Sequence, residues 1–226
     1  MANLSLVVTI TRREVREDYL RYLHANNVYY VNSVLCEGTA QQMVLDHLGI
    51  EKTDKVMLSS LVSSSACKEL LHGLISAMRI DAPGNGIAFS APLSGAVPTP
   101  TLQRALKDQE NQMENGVNDM GEENFRLITA IVKKGHTGMV MDAARAAGAG
   151  GGTVVHGKGL SREQDAHFFG MSFAEEQDLL LILAKKEDEK PILRAIMDSD
   201  KPHPGTVIAA YAQPVTQVVG VHRLAE

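Results

Sequence analysis

The sequence predicts an α+β protein made of two tandem units, each with the element order βαββαβ. Three observations support this prediction. The chain matches itself when it is shifted by 121 residues. Each half contains apolar runs of strand length, and stretches with the helical spacing of apolar residues separate those runs. Elements in this order typically form an antiparallel sheet with both helices on one face.

The internal repeat sets the expected domain boundaries. Glycines and prolines that stay in register throughout the repeat mean that the same turns occur twice. We therefore expect a first domain over residues 1–98, a linker over 99–123 and a second domain over 124–226. Matching pairs are Leu6 and Leu127, Ile10 and Ile131, Val34 and Val155, Gly38 and Gly159, Gly49 and Gly170, Ile75 and Ile196, and Pro83-Gly84 and Pro204-Gly205.

The predicted strands are runs of apolar and β-branched residues that recur in both halves. In the first unit they read LSLVVTI, VYYVNSVLC, VMLSSLV and GIAFSAP. In the second unit they read FRLITAIV, TVVHG, DLLLILA and TVIAAYAQP.

The predicted helices follow the first and third strands of each unit. Their apolar residues recur at helical spacing and define one buried face. Together with the strands they give two ferredoxin-like domains, antiparallel sheets with helices on one face. The residues of these faces are Val15, Tyr19, Tyr22 and Leu23, then Leu70, Leu71, Leu74, Ile75 and Met78, then Val140, Ala143, Ala144 and Ala147, and finally Ile192, Ala195 and Ile196.

The linker over 99–123 is polar and acidic, with prolines at its start. Leu102, Ala105 and Leu106 have the spacing of a short helix. Two interpretations stay open at this point, a surface linker and a helix that docks on a domain.

A glycine-rich stretch, AGAGGGTVVHGKG, covers residues 147–159 and raises the question of a phosphate-binding loop. These glycines follow a predicted helix, whereas a phosphate-binding fingerprint places them between a strand and the helix N-terminus. A glycine at a helix C-terminus adopts positive φ at little cost, so a structural role is expected for the first part of the stretch.

Composition excludes several classes of function. The net charge of −5, the aromatic content of 4% and the absence of Trp argue against nucleic-acid binding. No apolar run approaches the ~20 residues of a membrane span, and the N-terminus lacks a signal-peptide pattern. Cys36 and Cys67 lack the spacing of zinc ligands. We expect a cytoplasmic protein with no membrane span.

The long loop over 157–176 in the second unit is the main candidate for an interaction surface. Its basic residues could meet an anion or a partner protein, while its phenylalanines could instead pack on the sheet or on a neighbouring subunit. The basic residues are His156, Lys158, Arg162 and His167, and the apolar ones are Phe168, Phe169 and Phe173.

Two further classes of function are weighed. A metal-binding or metal-tolerance module would use histidines such as His156 and His203 from several chains. An enzyme would need a catalytic constellation, and neither a nucleophile elbow nor paired catalytic carboxylates in a known motif occur. We therefore expect no catalytic residues and no enzyme activity.

The second unit resembles the P-II family of nitrogen regulators, and is most similar to its short-looped branch. The resemblance rests on AGAGGGTVVHGKG, on FFGMSFAEEQDLLLILAKKEDEKPILRAIM, and on the Pro-Gly turn before TVIAAYAQPVTQVVGV. In the first unit, DAPGNGIAFSAPLSGAV is similar to the closing segment of the family. The resemblance implies a ferredoxin-like fold that assembles into a homo-oligomer, senses a small molecule and signals to a partner protein.

The resemblance also implies where an effector binds. Adenine nucleotides occupy clefts between subunits in this family, so a nucleotide is the candidate effector and no cofactor is required. A trimeric ring needs three units, and three of these two-unit chains would supply six, so three chains are favoured. The implied effector-binding residues are Gly157, Lys158, Gly159 and Arg162 at the loop base, Pro204, Gly205 and Thr206 at the turn before the last strand, and Gly84, Asn85 and Gly86 at the equivalent turn of the first unit.

Overall fold

The computed structural model describes residues 4–39, 54–94, 100–111, 124–158, 167–168, 171–172 and 176–221. The chain divides by its internal contacts into two compact units. The first unit contains Met1–Leu35, Lys52–Arg126 and Pro214–Glu226, and the second contains Cys36–Glu51 and Leu127–Gln213.

The described residues form strands and helices in both units. The strands are β1 (Leu4–Arg12), β2 (Val31–Gly38), β3 (Asp54–Ser63), β4 (Gly86–Pro92), β5 (Phe125–Lys133), β6 (Thr153–Lys158), β7 (His167–Phe168), β8 (Met171–Ser172), β9 (Glu176–Lys185), β10 (Val207–Val215) and β11 (Val218–Val219). The helices are α1 (Arg16–Ala25), α2 (Cys67–Met78), α3 (Pro100–Asn111), α4 (Thr137–Ala146) and α5 (Glu189–Ser199).

The first unit is built on the strand order β2-β3-β1-β4-β11. Strand β1 is antiparallel to both of its neighbours, with Val7 opposite Ser60 on β3 and opposite Ser90 on β4. Because side chains alternate between the two faces of a strand, one face of this sheet meets α1 and α2. The core between them contains Val7, Tyr19, Leu23, Val56, Leu58, Val62, Leu70, Leu71, Leu74 and Ala88.

The second unit is built on the order β10-β5-β9-β6, with the end of β2 beside β6. Strands β6 and β9 are antiparallel, and Glu37 and Gly38 of β2 pair with Val154 and Thr153. Helices α4 and α5 share one core with the sheet, and this core contains Ile128, Ala130, Val132, Val140, Met141, Ala144, Leu180, Ile182, Ile192 and Ile196.

The main strands of each unit lie in the same order: fourth, first, third and second along the chain. In each unit one helix lies in the connection from the first to the second strand and the other in the connection from the third to the fourth, and the two strands that each helix joins have one strand between them in the sheet. The predicted α+β class, with antiparallel strands and packed helices, is confirmed. None of the helices in the described part of the chain is long and apolar enough to cross a membrane.

Helix α3 lies in the segment predicted as a linker, and it packs on the first unit. Leu106 and Gln109 are buried, with 4% and 2% of their surface exposed. The Gln109 Oε1 accepts a hydrogen bond from the Ser63 N–H at 3.0 Å, and its Nε2 donates to the Asn27 carbonyl oxygen at 3.1 Å. Of the two interpretations that the sequence left open, the docked helix describes residues 100–111.

The end of the chain also contributes to the first unit. Strand β11 pairs antiparallel with β4, with Val218 opposite Phe89 and Val219 opposite Ala88. Gly220 has φ +81°, and a Cβ at this position would lie 2.4 Å from the Gly86 carbonyl oxygen. Only glycine allows the chain to pass so close to this backbone.

Candidate functional site

The predicted loop base lies at the end of β6 in the second unit. Antiparallel pairing with β9 places Gly157 opposite Gln177 and Lys158 opposite Glu176. Both Gly157 and Lys158 are exposed. A Cβ on Gly157 would have only ordinary contacts, the nearest at 3.6 Å, so packing does not require glycine there.

His156, one residue before the loop base, lies between two carboxylates. Its Nδ1 is 2.7 Å from Asp178 Oδ1, and its Nε2 is 3.5 Å from Glu37 Oε1. Asp178 is buried with 2% of its surface exposed. The hydrogen bond to Asp178 raises the pKa of His156, and Glu37 acts in the same direction, while partial burial opposes them. The imidazolium form is therefore favoured at this position.

A group of opposite charges surrounds the first residue of β9. Lys134 Nζ is 2.6 Å from Glu176 Oε2, and this hydrogen bond raises the pKa of Lys134 and lowers that of Glu176. Lys158 and His156 lower the pKa of Glu176 further. Two lysines and a histidine thus meet one exposed carboxylate, an arrangement that suits the exchange of that carboxylate for another anion.

The glycine-rich stretch before β6 has a structural explanation. Gly148 ends α4 with φ +105°, a backbone conformation that glycine adopts at low cost. Gly152 lies against β9, where a Cβ would be 2.9 Å from the Leu181 carbonyl oxygen. Its N–H donates to Thr39 Oγ1 at 2.7 Å, so this backbone amide is occupied within the unit. The expected structural role of these glycines agrees with the geometry.

The turn before β10 contains Pro204, Gly205 and Thr206, and an aspartate occupies its amides. Asp200 Oδ2 accepts a hydrogen bond from the Gly205 N–H at 3.2 Å, and its Oδ1 accepts one from the Val207 N–H at 2.8 Å. These bonds hold the pKa of Asp200 below its ordinary value. The turn that was predicted to bind the effector therefore already holds a carboxylate of its own, a feature that no sequence pattern indicated.

The loop base and the turn lie at the same end of the sheet, on different strands. The Lys133 N–H donates to the Thr206 carbonyl oxygen at 2.9 Å, and the Lys134 N–H donates to the Glu176 carbonyl oxygen at 3.2 Å. The order β10-β5-β9-β6 then separates Thr206 from Lys158 by three strand spacings, about 14 Å. The structure brings Lys158 to Glu176 and Lys134, but not to the turn.

The equivalent turn of the first unit, Gly84 to Gly86, is fixed by backbone geometry. Gly84 and Gly86 have φ +81° and +136°. A Cβ on Gly86 would lie 2.2 Å from the Ile10 carbonyl oxygen. Asn85 Nδ2 donates to the Arg79 carbonyl oxygen at 2.9 Å, and the Asn85 carbonyl oxygen accepts a bond from Thr11 Oγ1 at 2.7 Å.

The remaining predicted residues, Gly159 and Arg162, lie outside the described residues. Of the long loop over 157–176, the structure describes a short antiparallel ladder in which β7 pairs with β8, Phe168 opposite Met171. No pattern in the sequence indicates this ladder. Whether the loop contacts a partner stays a prediction.

No group of three or more histidine, cysteine, aspartate or glutamate side chains within the described ranges is arranged to hold a metal ion. The metal hypothesis named His156 and His203. His156 is held by Asp178 as described above, and the His203 N–H donates to the Asp200 carbonyl oxygen at 3.1 Å. No contact in the described part of the chain joins the two histidines.

Three solved structures show low similarity to the chain. A Bacillus cereus protein related to NIF3 is 18% identical with a TM-score of 0.34, over 57% of this chain, which spans 44% of the length of that protein. An unknown protein from Galdieria sulphuraria is 11% identical with a TM-score of 0.31, over 96% of this chain and 100% of its own. A microcompartments protein from Desulfitobacterium hafniense is 12% identical with a TM-score of 0.25, over 96% and 97%. Such low TM-scores carry no conclusion about function.

Comparison with characterised families gives a clearer result. No curated protein matches the chain. The model of the family "Nitrogen regulatory protein P-II" matches residues 125–223, which include β5 to β11. The resemblance of the second half of the chain to the P-II nitrogen regulatory proteins is therefore confirmed over these residues.

Proposed function

We propose that this protein is a P-II-like regulator that binds a small anionic effector, with a nucleotide as the first candidate, and signals to a partner protein. The family match over residues 125–223 carries the proposal. Its role is regulatory and non-enzymatic, it requires no cofactor, and it acts in the cytoplasm.

The charges at the loop base support an anion site there. Lys134 and Glu176 are both about half exposed, at 54% and 55% of their side chains. An exposed ion pair of this kind contributes only about 0–1 kcal/mol. A phosphate group carries more charge and more acceptor oxygens than a carboxylate, so it can take over Lys134 and Lys158 at small cost. The site lies where the long loop begins, so binding there can change the position of the loop.

The occupied turn adds a condition to this proposal. Because Asp200 already accepts hydrogen bonds from Gly205 and Val207, an anion that enters this turn has to displace a carboxylate. At the loop base the competing carboxylate is Glu176, whose exposed ion pair with Lys134 costs little to break. We therefore assign the first contact of the effector to Lys158 rather than to the turn.

We also propose that the two units are copies of one ancestral domain and that three chains assemble into a closed oligomer. The shared strand order and the repeat of 121 residues support the duplication. Three chains supply six units, which satisfies threefold symmetry twice. Light scattering should give three times the chain mass of 24.5 kDa, and a stable monomer would reject the assembly.

The binding proposal is tested by thermal shift with ATP, ADP, AMP and inorganic phosphate. Ligands that bind only the folded state raise its stability by mass action. We expect at least one of these anions to raise the melting temperature, and we expect Lys158→Gln to reduce that rise. Lys190→Gln is the matched control, since Lys190 is an exposed lysine on α5 of the same unit. Absence of any shift, or the same shift in all three proteins, would reject the site.

A further inference from the structure

The turn before β10 holds an acidic side chain at the place where an anionic effector was expected. Asp200 directly follows α5, and its carboxylate accepts hydrogen bonds from the Gly205 N–H at 3.2 Å and the Val207 N–H at 2.8 Å. Backbone amides that converge in a turn are also groups that bind phosphate oxygens. The chain itself therefore supplies this turn with the kind of charge that an effector would bring.

The first unit forms the same backbone turn without an acid at the position of Asp200, since the residue 121 positions earlier is Arg79. Both turns have two backbone hydrogen bonds at matching positions and a glycine of nearly the same positive φ. The backbone shape of the turn therefore does not require a carboxylate at this position. The matching features are the N–H bonds from Ala82 to the Arg79 carbonyl oxygen at 2.9 Å and from Asn85 to that of Ala82 at 3.1 Å, those from His203 to that of Asp200 at 3.1 Å and from Thr206 to that of His203 at 3.2 Å, and the φ values of +81° at Gly84 and +85° at Gly205.

The charge at the start of the turn is reversed between the two units. Arg79 follows α2 with φ +49° and is exposed, whereas Asp200 follows α5 with φ −75°. In the first unit the Asn85 Nδ2 donates to the Arg79 carbonyl oxygen at 2.9 Å, so a neutral amide closes that turn. An acid in one of two otherwise matching turns makes that turn the less able to accept an external anion.

Solvent can reach the turn of the second unit on the side of Gly205. Residues 201–205 are exposed, and a Cβ on Gly205 would meet no atom of the described residues within 4 Å. The neighbouring ion pair of Lys201 with Asp198 has side chains that are 76% and 53% exposed, so it is easily exchanged. An anion can therefore enter the place that the Asp200 carboxylate now occupies, provided that this side chain turns away.

The Asp200 carboxylate is a charged competitor at neutral pH. Its bonds from Val207 and Gly205 hold the pKa of Asp200 below its ordinary value, so the side chain is ionised there. Because the carboxylate is tethered beside the amides, it competes with a high effective concentration. The apparent affinity of an external anion is then reduced by the fraction of time for which the turn is unoccupied.

We propose that Asp200 is a built-in competitor that keeps the anionic group of the effector out of the turn of the second unit. This inference rests on the proposed function, because it concerns the same anionic effector. The second unit then takes up phosphate in two stages. The loop base at Lys158 fills first, and the turn fills at a higher concentration, when phosphate displaces the carboxylate.

The test is a titration of the full chain with inorganic phosphate, followed by two-dimensional NMR of the backbone amides. In the parent, the Gly205 amide should shift only at high phosphate concentration. In Asp200→Asn the same amide should report an apparent Kd at least about tenfold lower, as expected if the carboxylate fills the turn for more than about nine-tenths of the time. Asp200→Arg, which copies the residue of the first unit, should bind phosphate at least as tightly as Asp200→Asn. The matched control is Asp198→Asn, an exposed acid of α5, and it should leave the Kd at Gly205 unchanged.

Three results would overturn the assignment of Asp200. The first is an apparent Kd at Gly205 that is no lower in either Asp200 variant than in the parent. The second is an equal gain in Asp198→Asn, because loss of any nearby negative charge would then explain the effect. The third is loss of the folded state in both Asp200 variants by circular dichroism, because the turn would then need its carboxylate for stability.

The loop base is measured separately in the same spectra, at the amide of Gly157. If that amide does not shift in the parent, the anion site proposed at Lys158 is rejected. The Kd at Gly205 still decides whether Asp200 competes at the turn, so failure of the proposed function and failure of this inference are distinguishable.

Discussion

Replacing Gln109 by alanine tests whether α3 is part of the folded first unit. Gln109 is 2% exposed, and its amide bridges the Ser63 N–H and the Asn27 carbonyl oxygen. Loss of the hydrogen bond that Gln109 makes to the buried Ser63 N–H costs about 1–3 kcal/mol, and loss of the second bond costs about 1 kcal/mol more. We therefore expect Gln109→Ala to lower the free energy of unfolding by about 3 kcal/mol.

The measurement is urea unfolding of the purified chain followed by circular dichroism, with Lys107→Ala as the control. Lys107 is exposed on the same helix, and such surface changes usually stay within about 0.5 kcal/mol. If Gln109→Ala matched Lys107→Ala, α3 would be a surface linker and the bridging amide would contribute nothing. A transition with two steps would show that the units unfold separately, and the loss should then fall in only one of them.

Three further predictions concern single residues. Gly86→Ala should lower the free energy of unfolding in urea by more than about 2 kcal/mol, because φ is +136° and the added Cβ would meet backbone. The control Gly138→Ala lies in open space on a helix, so it should be neutral or stabilise the chain by up to about 1 kcal/mol. Equal effects of the two substitutions would contradict the geometry. Asp178 raises the pKa of His156, so the contribution of His156 to stability should be complete below about pH 6.5 and lost as pH rises through the folded pKa. NMR titration should show that Asp178→Asn lowers the pKa of His156. An unchanged pKa would refute the pairing. Backbone amides lower the pKa of Asp200, so the contribution of Asp200 to stability should be present above about pH 3.9 and lost as pH falls through the lowered pKa. Acid unfolding of Asp200→Asn should show a weaker pH dependence than that of the parent. Identical unfolding profiles of the two proteins would contradict this pairing.

The sequence predicted the main elements because their buried faces repeat at regular spacing. The run DLLLILA lies inside β9, which extends from Glu176 to Lys185. Tyr19 and Leu23 are buried on α1 as their helical spacing indicates. Because each apolar pattern occurs twice at an offset of 121 residues, the periodicity of a real strand or helix can be distinguished from a chance pattern.

Element ends and short ladders were harder to predict. The expected second strand began at Val28, whereas β2 begins at Val31, and Tyr29 and Tyr30 are about half exposed. Apolar and aromatic residues continue the strand pattern even where the backbone has left the sheet. The pairing of β7 with β8 depends on a two-residue register, which is too short to produce a sequence period.

The site was predictable at the level of segments and not of contacts. The resemblance to P-II proteins indicated Lys158 and the turn at Gly205, and both lie at one end of the sheet of the second unit. It could not indicate that Asp200 occupies the turn, because that contact depends on how α5 ends. Asp178 left one readable signal, since it is the charged first residue of the otherwise apolar run DLLLILA, and antiparallel pairing places it opposite His156.

Direct titration of the full chain with ATP and ADP by calorimetry tests the central claim most directly. If the loop base of the second unit is an anion-effector site, at least one nucleotide should bind saturably to the parent, and Lys158→Gln should bind it at least about tenfold more weakly. Heat indistinguishable from dilution for both nucleotides, or equal affinity in the parent and Lys158→Gln, would contradict the account.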